Sequence, residues 1–87
     1  MAFDPGRAYE KHPKVAIRRE EFGGLAYHYG NRRLVFLKAP ALVEVVESLA
    51  DFASARDALA AHVPPGAVRS YESALAGLLT SEVIRAR

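Results

Sequence analysis

Three histidines, His12, His28 and His62, carry the imidazoles of this chain. A bound transition metal needs donors that converge, usually at short helical or strand spacing. No two of these histidines stand at i, i+2 or i, i+4, so no metal site is expected. His28 is expected on the polar face of a strand, and His62 against the last carbonyls of a helix, where a cation is favoured. None of the serines sits in a Gly-x-Ser-x-Gly context. Glu20 and Glu21 are adjacent carboxylates, but neighbours on a strand point to opposite faces and cannot share a proton. Gly23-Gly24 is not a phosphate loop, because no Lys-Ser/Thr follows and no helix opens there. Cysteine is absent, which removes thiolate nucleophiles, disulfides and iron–sulfur ligation. Neither an enzyme nor a cofactor is expected.

Two other patterns carry more information. Arg32-Arg33-Leu34-Val35-Phe36-Leu37-Lys38 is a short β-prone run flanked by cations. As an edge strand it would offer unpaired N–H and C=O groups to another chain, and its charges would suit an acidic partner. Further on, Ser70, Ala74, Gly77 and Ser81 form a stripe of small residues beside a stripe of large apolar ones. Glycine inside a helix costs about 1 kcal/mol relative to alanine, which is consistent with close approach of another backbone, either a partner's or that of the chain's own sheet or another of its helices. A peptide lying between such a strand and such a helix would use both. Each main-chain hydrogen bond is worth only ~1 kcal/mol net, so side-chain pockets would set specificity.

These features need elements to position them. Residues 1–13 hold turn formers and no periodic apolar pattern, and are expected to be an N-terminal tail ahead of a 14–87 domain. Alternation at Val15 and Ile17, then at Leu25, Tyr27 and Tyr29, then through Arg33–Lys38, predicts three strands. Gly23-Gly24 and Gly30-Asn31 are the expected turns of an antiparallel meander. From Pro40 the period becomes 3.6, with Leu42, Val45, Val46 and Leu49 on one stripe. Ser54 to Asp57 resembles a capping box opening a second helix that ends near His62. Val68, Tyr71, Leu75, Leu78 and Leu79 make the stripe of a third helix over about 67–81, and Val83-Ile84 reads as a short extended end. The fold class is α+β and winged-helix-like: a three-stranded antiparallel sheet followed by three helices.

The chain has 87 residues and a formal charge of +2, too little to imply nucleic acid. The charge is uneven: residues 1–38 carry +4 and residues 39–87 carry −2. The winged-helix pattern raises DNA binding as an alternative, but its recognition helix needs cations. Here that helix sets Arg69 against Glu72 and Glu82. A third alternative is a homodimer joined through the edge strand. No apolar run reaches the ~18 residues of a spanning helix, and residues 1–14 lack a signal-peptide core. A cytoplasmic protein with no membrane partner is expected.

The stretch HPKVAIRREEFGGLAYHYGNRRLVFLKAPALVEVVESL, His12 to Leu49, resembles the PqqD-like RiPP recognition elements, and among them the mycofactocin peptide chaperones. FGGLAYHYGNRRLVFLK is its most specific part. The resemblance implies a non-catalytic protein that binds the leader of a ribosomal precursor peptide and presents it to a radical SAM maturation enzyme. It implies that the leader adds antiparallel to the third strand, in a groove closed by the third helix. Carried onto this chain, the peptide-binding residues are Arg33, Leu34, Val35, Phe36 and Leu37, with Val68, Arg69, Tyr71, Glu72 and Leu75 on the helix. Arg33 and Arg69 are the expected anchors for acidic leader residues, and Val35→Pro is expected to remove a ladder N–H and abolish peptide binding while the fold mostly survives. A hydroxyl cap is expected before Pro40, where this chain has Ala39.

Overall fold

The computed structural model describes residues 2–87. Along the chain run β1 (Tyr9–Lys11), β2 (Val15–Glu20), β3 (Gly23–His28), β4 (Leu34–Leu37), α1 (Pro40–Ser48), α2 (Ala55–His62), α3 (Val68–Thr80) and β5 (Ile84–Ala86). β2, β3 and β4 form the expected antiparallel meander, in that order. β1 and β5 pair antiparallel as a second, two-stranded sheet, Tyr9 opposite Ala86. The α+β class is as read from the sequence, with this second sheet added.

One face of the meander is covered by helices. Val15, Ala26 and Leu37 on that face are buried together with Val43, Val46 and Leu59 from α1 and α2. Each large aliphatic side chain so buried contributes about 1.5–3 kcal/mol. The alternation that predicted the strands is the alternation of this burial. α1 begins at Pro40 with no side-chain cap, and Leu42 and Val43 donate instead to the Ala39 carbonyl at 3.1 and 3.3 Å. α2 has the expected cap, Ser54 Oγ accepting from the Asp57 N–H at 3.1 Å.

Several local expectations are corrected. The stretch expected as a tail contains β1, and Tyr9 is fully buried, stacked on Phe3 with ring centroids 5.0 Å apart. A three-residue strand whose partner lies at the far end of the chain leaves no local pattern. The first turn is Glu21-Phe22, since Glu20 pairs with Gly23. Gly23 has φ 147°, and a Cβ there would lie 2.1 Å from the Leu37 carbonyl oxygen, so this glycine lets β4 come close rather than making the turn. The second connection is longer than a two-residue hairpin, and its left-handed residue is Arg32, at φ 61°. His28 holds it: buried on the inner face, its Nδ1 accepts from the Gly30 and Asn31 N–H groups at 2.9 and 3.1 Å. His28 is therefore not on the polar face. His62 contacts Ser48 Oγ (3.1 Å) and Glu44 (3.7 Å) on α1 rather than its own last carbonyls.

α3 ends in a Schellman motif. The Val83 N–H donates to Leu78 and the Glu82 N–H to Leu79, at 2.9 and 3.2 Å, with Glu82 left-handed at φ 64°. Asparagine or glycine is usual there, so the sequence alone hides the turn that sends the chain into β5.

Candidate functional site

β4 is the outer strand of its sheet, and among the described residues β3 is its one strand partner. Its ladder parity follows from one bond beyond its end: the His28 N–H donates to the Arg33 carbonyl at 2.9 Å. Antiparallel pairs alternate between bonded and non-bonded, so Val35 opposite Ala26 and Leu37 opposite Gly24 exchange bonds with β3. The N–H and C=O of Leu34 and Phe36 therefore point away from the sheet. The opposite edge differs: on β2 the Val15 N–H is taken by the His12 carbonyl and its carbonyl by Lys11 Nζ, at 3.0 and 2.5 Å.

Beyond β4 lies a groove whose far wall is α3. A chamber of about 400 Å³ is bounded by Val35, Phe36 and Leu42 on one side and Ala74, Gly77 and Leu78 on the other. A smaller one, about 160 Å³, follows along the helix between Lys38, Leu42 and Tyr71. Gly77 keeps the wall low: a Cβ placed on it would meet nothing within 4 Å. The rim is cationic. Arg18, Arg19 and Arg85 are held by carboxylates at 2.6, 2.5 and 2.7 Å. Arg32, Arg33 and Lys38 form no ion pair among the described residues. The arrangement offers main-chain hydrogen bonds, apolar pockets and positive charge. It holds no cluster of three metal-ligating side chains among the described residues.

The family model described as "Peptide chaperone MftB family" matches residues 8–85. The chain belongs to this family. A protein named Peptide chaperone MftB from Mycolicibacterium smegmatis is 46% identical over 97% of this chain and 83% of its own length. Another of that name from Mycobacterium ulcerans is 44% identical over 95% and 77%, respectively. A third, from Mycobacterium tuberculosis, is 50% identical over 64% of this chain and 51% of its own. No solved structure matches.

In this MftB family member the expected binding residues divide into four groups. Val35, Phe36 and Tyr71 line the groove, and Leu34 lies exposed on the same strand. Leu37 and Leu75 are fully buried in the core, and Val68 packs against it. Arg69 and Glu72 lie on another side of α3, beside Phe3 and Pro5. Arg33 stands at the entrance to β4, its N–H donating to Asn31 Oδ1 at 2.9 Å. The groove wall is instead the small-residue stripe, Ser70, Ala74, Gly77 and Ser81, together with Lys38 and Leu42. That stripe is visible in the sequence. Its orientation is not, because Leu75 and Leu78 had first to be placed inward. Val35→Pro is also corrected as a probe of binding: the Val35 N–H serves β3, and the edge donors are those of Leu34 and Phe36.

Proposed function

We propose that this chain is a cytoplasmic, non-catalytic peptide chaperone of mycofactocin biosynthesis. It binds the leader of a ribosomal precursor peptide as an added strand antiparallel to β4 and presents it to a radical SAM maturation enzyme. The observation that carries the reading is the vacant edge of β4 facing an apolar groove. Family membership and the names of the relatives support the chaperone role. Main-chain pairing supplies affinity, while pockets opposite alternate positions supply selection. The unpaired cations Arg32, Arg33 and Lys38 favour acidic leader residues and speed encounter. No helix among the described residues is long and apolar enough to cross a membrane.

Amide exchange during titration with the synthetic leader tests this. Leu34 and Phe36 should gain protection while Val35 and Leu37, already bonded in the sheet, change little. Binding that leaves Leu34 and Phe36 exchanging at their free rate would remove strand addition from the reading.

A further inference from the structure

An edge strand with one solvated face normally carries polar side chains there. β2 does so, with Arg18 and Glu20 outward. β4 does not. Its outward Leu34 and Phe36 are each 59% exposed, and Phe22, Tyr27 and Tyr29 complete the exposed large hydrophobics among the described residues. They form one surface: Phe22 meets Phe36 edge to face at 6.0 Å, Tyr27 meets Tyr29 at 5.3 Å, and Tyr27 stands opposite Leu34. A recess of about 300 Å³ opens on that outer side between Phe22, Phe36 and Lys38. The two chambers described above open on the inner side.

A strand added to β4 keeps the pleat of the sheet. Its residue opposite Phe36 must point outward, and its residues opposite Val35 and Leu37 must point inward. The outer recess borders Phe36, the larger chamber borders Val35, and the smaller one begins at the Lys38-Ala39 end of the strand, so these three consecutive side chains have a recess each to enter. We infer that β4 reads three consecutive apolar residues of its peptide, the middle one outward against Phe22 and Phe36 and its neighbours inward beside Tyr71 and over Gly77. This rests on β4 being the peptide-binding edge and names what it selects. The recesses differ in size, so the selection has an order. In an antiparallel peptide the side chain opposite Leu37 comes first and enters the 160 Å³ chamber, which suits a small aliphatic group. The middle one is aromatic or large aliphatic. The third enters the 400 Å³ chamber and is large. Lys38 borders all three recesses, so an acidic residue just before the triplet meets its ammonium.

Random heptapeptides displayed on phage, panned against the immobilised full chain, test this. Enriched peptides should share small–large–large apolar triplets in that direction. In a synthetic version, serine at any of the three positions should weaken binding about tenfold or more. Phe36→Ser should remove the preference at the middle position alone, and Gly77→Leu at the third alone. Both sites tolerate change, one being exposed and the other facing open space. Strict alternation of apolar and polar residues, or serine tolerated within twofold at the middle position, would overturn the inference. Protection of the Leu34 and Phe36 amides by such alternating peptides would leave strand addition standing without it. Absence of enriched peptides, or protection elsewhere, would overturn both.

Discussion

Proline substitutions at Leu34 and Val35 should have opposite consequences, although the two residues are neighbours. The Leu34 N–H points off the sheet, Leu34 is 59% exposed, and it opens the strand, where proline is tolerated. Leu34→Pro should therefore leave stability nearly unchanged and delete one hydrogen bond to the peptide. At about 1 kcal/mol net, that is roughly a fivefold rise in Kd. The Val35 N–H bonds within the ladder to β3. Val35→Pro loses that bond, leaves the Ala26 carbonyl unpaired in a buried position, and sets a ring between two strands. Together these cost about 3 kcal/mol or more, a large share of the roughly 5–10 kcal/mol expected for a domain of this size. Urea unfolding followed by far-UV circular dichroism reads the stability. Anisotropy of a fluorescein-labelled leader reads the affinity. Equal destabilisation by the two prolines would refute the assigned parity, as would a Leu34→Pro variant with unaltered Kd.

Gly23→Ala should destabilise the fold by about 3 kcal/mol or more, because its Cβ would strike the Leu37 carbonyl oxygen in a backbone conformation alanine avoids; a wild-type urea midpoint would contradict this. Leader affinity should fall as salt rises from 0.05 to about 0.5 M, and Arg33→Gln should flatten that dependence; anisotropy titrations at several salt concentrations check both. Burial first, then the neighbouring His28 ring (centroids 4.5 Å apart) and Arg85, hold the His12 pKa below its usual 6.5. The unfolded chain then binds the extra proton more readily. His12's contribution is complete above about pH 6.5 and is lost as pH falls toward its lower folded value. Urea midpoints between pH 7.5 and 5 should show that decline, and His12→Asn should make it shallower.

The three strands and three helices were legible because each carries one clean period. Val15 and Ile17 alternate, and Leu42, Val45, Val46 and Leu49 recur along a helix face. The edge position of Leu34–Leu37 was legible too, since a meander leaves its last strand unpaired. β1 was hidden because Tyr9 pairs across the whole length of the chain with Ala86, and no local window contains both. The helix side of the groove was half legible. The sequence separates a large stripe from a small one, but which of them faces the core depends on how α3 rotates over α2 and the sheet. Packing puts Leu75 and Leu78 inside, which leaves the small stripe to face β4 and carries Arg69 and Glu72 to another side.

The β1–β5 ribbon also decides how the domain responds to tension. Tyr9 and Ala86 sit at the same end of that ribbon, so a force applied through the two termini loads its cross-links one after another, as in a zip fastener. Strands pulled lengthwise past each other must instead break all their bonds together. The domain should therefore yield first at its termini under low load, with the meander and its vacant border still in place.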